Sequence, residues 1–229
     1  VAPAQPEPAK PVAPQAKPEP EPVVKPAVSA PAAPAWQLSR ETAFAELAHA
    51  WGVSEASKRA VQCLDLESRG LHCQSGEATW AQLRGFNLPV VLEIQTESGM
   101  KHALVRRLNG GKAVLLNSKG ETELDLGSLS EQWTGRYELI WKPQVNATRI
   151  GPDSEQSAIR WLLKRLDMAE GSANTVVSLP YRYDSAVRER VRRFQEAQGL
   201  DADGLVGPQT MIHFNALAPQ AGTPALVGG

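Results

Sequence analysis

Four histidines and two cysteines are the side chains of this 229-residue chain best suited to ligating a metal or attacking a carbonyl, and spacing sorts them. His49, His72, His102 and His213 are separated by long intervals, with no HExxH pattern and no CxxC pair, so zinc-ligand spacing is missing and no metal or cofactor is expected. Cys63 falls on a helix predicted over residues 54–68, and Cys73 on a strand predicted over residues 71–74 that returns beside it after Gly70. The pair can close a short loop as a disulfide in an oxidising compartment. Two buried thiols, or a reactive Cys63, are the alternatives. Gly110-Gly111-Lys112 lacks the earlier glycine of a phosphate loop and reads as a hairpin turn, so no ATPase is encoded here.

A denser polar constellation lies in residues 184–210, DSAVRERVRRFQEAQGLDADGLVGPQT. Asp184 fits an N-cap, Val187, Val191 and Phe194 recur at helical spacing, and Gly199 stands where a left-handed C-terminal cap belongs. Asp203-Gly204 reads as a tight turn, and Gly207-Pro208 puts proline at the first position of another helix carrying Met211, Phe214 and Leu217. With an upstream helix holding Ile159, Leu162, Leu163 and Leu166, three short helices surround one core. Arg188, Arg190, Arg192 and Arg193 form a solvated helix face that can also meet carboxylates.

The elements upstream follow an α+β order. A helix is expected over residues 41–51, followed by the helix over 54–68. Strands are expected over 71–74, 90–95, 103–108, 113–117 and 137–141, with Asn109-Gly110-Gly111 as a hairpin signal between the third and fourth. Residues 1–35 hold eleven of the eighteen prolines and no aromatic residue, and they cannot build a packed core. In polyproline II geometry they would span about 100 Å as a spacer. The net charge of −1 gives no reason to expect nucleic acid, and no apolar run approaches the roughly 20 residues of a membrane span. The start, VAPAQPEP, has neither Met nor a basic-then-apolar leader, so a piece of a longer protein is expected.

Val191, Phe194-Gln195, Gly199-Leu200, Asp203-Gly204, Val206-Gly207 and Thr210, in that order, resemble the small peptidoglycan-binding module attached to many bacterial wall hydrolases. The resemblance implies peptidoglycan as ligand, glycan or peptide stem, and a groove involving Gln195, Asp203, Gly204, Val206, Gly207 and Thr210, with Tyr181, Tyr183 and Arg192 nearby. The run KHALVRRLNGGKAVLLNSKG, in its helix-then-strand context, resembles papain-like cysteine peptidases that process bacteriocin leader peptides. It implies that His102 and Asn117 occupy the base and orienting positions. The stretch where a nucleophilic cysteine belongs, residues 38–42, offers only Ser39 and Thr42 as hydroxyls, and Cys63 lies too far along the chain.

The expected organisation is therefore a linker over 1–35, a degenerate peptidase-like α+β domain over 36–145, a three-helix peptidoglycan-binding module over 146–218 and a flexible tail over 219–229. This order resembles the periplasmic region of the type II secretion (general secretion pathway) protein A family, the ExeA-like ATPases. The resemblance implies a non-catalytic wall-binding scaffold in the periplasm, with an inner-membrane protein B as partner and a role in secretin assembly; self-association into a homo-oligomer stays open. The alternative is a wall-targeted hydrolase acting through Ser39, His102 and Asn117.

Overall fold

The computed structural model describes residues 34–53, 62–117, 119–172 and 181–227, together with Val1. Most of the expected linker, and the first part of the expected helix over 54–68, lie outside the described residues. Six antiparallel strands form one sheet: β1 (His72–Glu77), β2 (Val90–Thr96), β3 (Gly99–Asn109), β4 (Lys112–Asn117), β5 (Gly120–Asp125) and β6 (Trp133–Trp141), in the order β1-β6-β2-β3-β4-β5. Central β2, VVLEIQT, is buried through Leu92 as its near-continuous apolar sequence requires, whereas edge strand β5, GETELD, alternates and carries two glutamates outward. Gly110, at φ 57°, makes the tight β3–β4 turn.

Both faces of the sheet are apolar, and different helices cover each. On one face, α1 (Arg40–Ala50) and α2 (Cys63–Glu67) pack Phe44, Leu47 and Leu66 against Val91, Leu104 and Ile140. Cys63 and Cys73 form a disulfide with Cα atoms 5.8 Å apart, tying the start of α2 to β1. On the other face, a second core runs from Leu92, Ile94, Val105, Leu115 and Leu139 through α3 (Trp80–Phe86) and on into α5 (Gln156–Ala169), α6 (Ser185–Ala197) and α7 (Pro208–Leu217). The three C-terminal helices do not keep a core to themselves. Phe214 of α7 stacks on Phe194 at 3.9 Å, while Ile212 and Met211 join the same cluster as the sheet residues.

The contact between α7 and α3 is close. The His213 ring meets Phe86 edge-on at 4.8 Å and lies against Gly85, where an added Cβ would come within 2.3 Å of Cε1. Gln209 donates to the Tyr137 hydroxyl at 3.1 Å, Gln82 to the Gly199 carbonyl at 2.8 Å, and Asn215 to the Lys142 carbonyl at 3.0 Å.

Several elements differ from the expectation. α3 and α4 (Leu126–Ser130) were not foreseen, nor was β5. Residues 219–227, expected to be a flexible tail, return to the sheet instead: Leu226 is fully buried, and its carbonyl accepts from Leu108 N–H at 2.7 Å. Asn87, the left-handed cap of α3 at φ 51°, accepts at Oδ1 from the N–H groups of Leu226 and Val227. The apolar socket and these hydrogen bonds outweigh the tail's Gly- and Pro-rich composition.

Two outcomes follow. Removing the disulfide in a Cys63→Ser, Cys73→Ser variant should lower unfolding free energy by about 2–3 kcal/mol, from the entropy of the closed loop, measured by urea denaturation. Burial holds the His213 imidazole down to about 4, so the unfolded chain binds the extra proton between the two pKa values. The neutral ring's contribution is complete above pH 6.5 and is lost as pH falls toward 4. The stability lead of wild type over His213→Phe should thus shrink by about 2 kcal/mol between pH 7.5 and pH 5.

Candidate functional site

Two polar regions stand on opposite sides of this architecture. The first lies where α1 meets the sheet. Leu38 and His102 exchange backbone hydrogen bonds, N–H to carbonyl at 2.8 Å and 3.0 Å, which fixes the start of α1 beside the strand that carries the histidine. Ser39 then serves as the N-cap: its Oγ accepts from Thr42 N–H at 3.1 Å and lies 3.1 Å from the Thr42 hydroxyl. Arg40 makes a bidentate pair with Glu138 of β6, at 2.7 and 2.9 Å. His102, half-buried, shares the sheet face of Leu104. Burial lowers its pKa, with Glu138 and Glu93 acting in the opposite direction.

Asn117 does not join this group. Strand alternation gives it the face of Leu115, whereas His102 has the face of Leu104, the opposite side of the sheet. Its Oδ1 accepts from Lys119 N–H at 2.7 Å and so shapes the β4–β5 turn. The structure therefore brings Ser39 and His102 near one another through their backbones and leaves Asn117 apart. Arg40, Glu93 and Glu138 are the charged neighbours that motif spacing alone could not supply, since they come together only through strand register and the α1 docking.

The second region is the loop between α6 and α7. Asp184 caps α6 through Oδ1 to Val187 N–H at 2.9 Å, and Gly199, at φ 65°, ends it, with Leu200 N–H returning to the Gln195 carbonyl at 2.9 Å. Gln195 is 2% exposed and holds the loop from inside. Its Oε1 accepts from Gly204 N–H at 2.9 Å; its Nε2 donates to Leu205 carbonyl at 2.8 Å, Asp203 Oδ1 at 3.0 Å and Thr210 Oγ1 at 3.1 Å. The Tyr183 hydroxyl donates to the Gly204 carbonyl at 2.5 Å, and desolvation pushes its pKa up to about 12 with help from Asp203. Gly204 sits at φ 72°, and a Cβ there would collide with the Arg188 and Arg192 stems at 2.7 and 2.9 Å.

Gln195, Tyr183, Gly204, Val206 and Thr210 are thus buried, and their side chains or backbone set the loop's shape. Asp203 and Arg192 are exposed, and Gly207 and Tyr181 half-exposed. Arg190 is turned inward, paired at 2.7 Å with both Asp167 of α5 and Glu170, the residue that caps that helix. Residues 149–154 complete the region. Ile150 and Val206 exchange backbone hydrogen bonds at 2.9 and 3.0 Å, and a depression of about 370 Å³ opens between Arg149, Asp153 and Ser154 on one side and Asp203, Leu205 and Gly207 on the other. The signal for the added strip was in the sequence: Ile150-Gly151-Pro152 repeats the apolar-Gly-Pro pattern of Val206-Gly207-Pro208, each just ahead of a helix.

Residues 35–143 match the family described as GspA, peptidase C39-like domain, and residues 154–213 match the putative peptidoglycan binding domain. The chain carries a GspA C39-like domain joined to a peptidoglycan-binding domain. It is 29% identical over 183 residues to general secretion pathway protein A of Aeromonas hydrophila, covering 79% of this chain and 33% of that protein. It is 28% identical over 173 residues to the putative general secretion pathway protein A of Escherichia coli (strain K12), covering 75% of this chain and 34% of that protein. The chain spans about a third of the length of these relatives. Its fold is like that of a periplasmic domain of the EpsAB fusion protein of the Vibrio vulnificus type II secretion system, with a TM-score of 0.50 and 19% identity over 80% of this chain and 81% of that one. Among the described residues, no helix is long and apolar enough to cross a membrane.

Within the GspA C39-like domain the helix-start hydroxyl is a cap, and within the peptidoglycan-binding domain the buried carboxamide of Gln195 organises the loop. Replacing Gln195 with Ala should strand the Gly204 N–H and Leu205 carbonyl without their partner and cost about 2–4 kcal/mol of unfolding free energy, whereas Arg192→Ala, on the exposed rim, should change it by less than about 0.5 kcal/mol. Chemical denaturation of the two variants checks the contrast.

Proposed function

We propose that this chain is a non-catalytic periplasmic scaffold that docks on peptidoglycan through the rim formed by residues 149–154 and 203–207. The observation that carries this reading is a loop fixed from within by Gln195 and Tyr183 while Asp203, Leu205 and Arg149 stay exposed around a depression, with exposed Arg192 packed by its stem beside Gly204. A preorganised rim of backbone amides, carboxylates and guanidinium groups suits a polymer rich in amides, hydroxyls and carboxylates, because little ordering entropy remains to be lost on binding.

On this reading residues 1–35 serve as a spacer and the C39-like domain offers a protein-binding surface rather than a peptidase centre. Its Ser39 hydroxyl is committed to capping, and Asn117 lies on the wrong face to orient His102. The relatives named general secretion pathway protein A support a place in the general secretion pathway; beyond their names, the proposed scaffold has an inner-membrane protein B as partner and contributes to type II secretin assembly through the wall.

The test is co-sedimentation of the full chain with isolated sacculi. The full chain is needed because separating the C-terminal helices would expose the sheet face they cover. Wild type should pellet with sacculi, and an Arg149→Glu, Arg192→Glu variant that keeps its circular dichroism spectrum should lose at least five-fold in bound fraction. A wild-type chain that stays in the supernatant defeats the wall-anchor reading, and release of soluble muropeptides during incubation would replace it with a hydrolase.

A further inference from the structure

Strand β3 outlasts its neighbour. β2 begins at Val90, opposite Val105, and Pro89 before it has no N–H with which to continue the ladder, whereas β3 runs on to Asn109. Residues 106–109 therefore have no β2 partner. An unpaired strand edge is a template for any extended segment, and proteins that keep one cover it. Here the cover is the segment after α7. Leu108 N–H donates to the Leu226 carbonyl at 2.7 Å, and Leu108 and Val227 form an isolated parallel bridge. Asn87, held left-handed at the end of α3, closes the other side of the slot. It receives the Leu226 N–H at its backbone carbonyl and at Oδ1, at 3.2 and 3.1 Å, and the Val227 N–H at Oδ1, at 2.7 Å. The slot thus holds an extended backbone through its N–H and carbonyl groups, and takes one aliphatic side chain, the fully buried Leu226.

The cover itself is slight. Within residues 219–227 Leu226 alone is buried, and residues 219–222 are exposed. The segment also leaves a cavity of about 110 Å³, which it lines together with Trp51, Leu88 and Ile212. One buried side chain and the bonds to Asn87 and Leu108 place it at the low end of local stability. A hinge is present as well. The Ala218 carbonyl at the end of α7 is held by Gln144 and Arg165, and the chain then turns where Thr223 N–H donates to the Gln220 carbonyl at 3.1 Å and Gly222 takes φ 80°. The segment can lift at that turn while the helix stays.

We propose that the slot between Asn87 and Leu108 is a β-addition site for an extended segment of a partner protein bearing a large aliphatic residue, and that residues 219–227 are the strap that closes it from within. A second copy of this chain is a poor occupant: its strap offers the same groups, so exchange gains no contact and loses the freedom of two molecules. A partner segment improves on the strap by pairing further along residues 106–109 and by filling the cavity. The slot shares no residue with the rim at 149–154 and 203–207, so partner binding here and sacculus binding there succeed or fail separately.

The probe is a fluorescein-labelled peptide with the sequence of residues 222–227, GTPALV, added to the full chain. Leu226→Asp sets a carboxylate against the aliphatic socket and so releases the strap. With circular dichroism showing a folded chain, this variant should bind the peptide saturably in fluorescence anisotropy, roughly ten-fold or more tighter than wild type, whose own strap competes. Adding Asn87→Gly, which keeps the left-handed backbone and removes Oδ1, should weaken that binding, and the peptide GTPADV should not bind. Wild type supplies a measurement that needs no variant. The Leu108 amide should exchange with deuterium through local opening, faster than the Ala103 and Val105 amides of the same strand, and excess GTPALV should slow it. The proposal is overturned if the folded Leu226→Asp chain takes up no GTPALV, if GTPADV binds as well, or if Leu108 exchanges only at the rate of Ala103 and Val105. It is equally overturned if wild type dimerises with rising concentration and the dimer excludes the peptide, which assigns the slot to a second copy.

Discussion

A sheet with two apolar faces must be covered twice, and this requirement governs the whole chain. The N-terminal helices supply one cover, through Phe44, Leu47 and Leu66 on Val91, Leu104 and Ile140. The other face carries Leu92, Ile94, Val105, Leu115 and Leu139, and α3 with the C-terminal helices takes up that area. At roughly 25 cal/mol per Å² of apolar surface, leaving such a face open would cost far more than the few hydrogen bonds across the junction contribute. The peptidoglycan-binding helices are therefore the second half of the sandwich. The disulfide, the Gln82 and Asn215 bonds and the latched tail secure an arrangement that burial dictates.

The same constraint explains why the candidate wall rim is stiff. A loop resting on water could relax in many directions, whereas this one is bonded to Gln195 and Tyr183, which belong to the packed interior. Gln195 sits one helical position beyond Phe194, and Phe194 stacks on Phe214 of α7, beside the His213 that meets Phe86. Loop shape, helix packing and sheet cover thus share residues, and a load applied at Asp203 or Leu205 would be carried into the C39-like sheet rather than absorbed at a hinge.

What could be read from residues alone were features whose causes are local. Asp184 as a cap, Gly199 as a left-handed stop, Pro208 at the first helical position and the Asn109-Gly110-Gly111 hairpin all depend on a few neighbouring dihedrals. Features whose causes are distant were not legible. Strand β5 is polar on an outer edge and lacks the apolar signal of a strand. The tail is fixed by an Asn87 cap more than a hundred residues upstream. The burial of Gln195, Thr210 and Tyr183 depends on how three helices close over the loop. Their residue types could be picked out as candidates, but their work as the loop's internal frame required the fold.

His102 shows how strand register settles a chemical question that spacing leaves open. A base and its orienting carboxamide must lie on one face, and a single-residue change of parity separates them as completely as distance would. Asn117 has the wrong parity, and the histidine faces a guanidinium–carboxylate pair. That pair is partly exposed and contributes little to stability. It nevertheless fixes where charge stands around the imidazole: burial, the largest influence, and Arg40 both oppose the protonated ring, while Glu138 and Glu93 favour it. Register thus sets the imidazole beside Glu93 and Glu138 on the α1 side of the sheet, where Ser39 Oγ accepts from Thr42 N–H, and leaves Asn117 to shape the β4–β5 turn on the other.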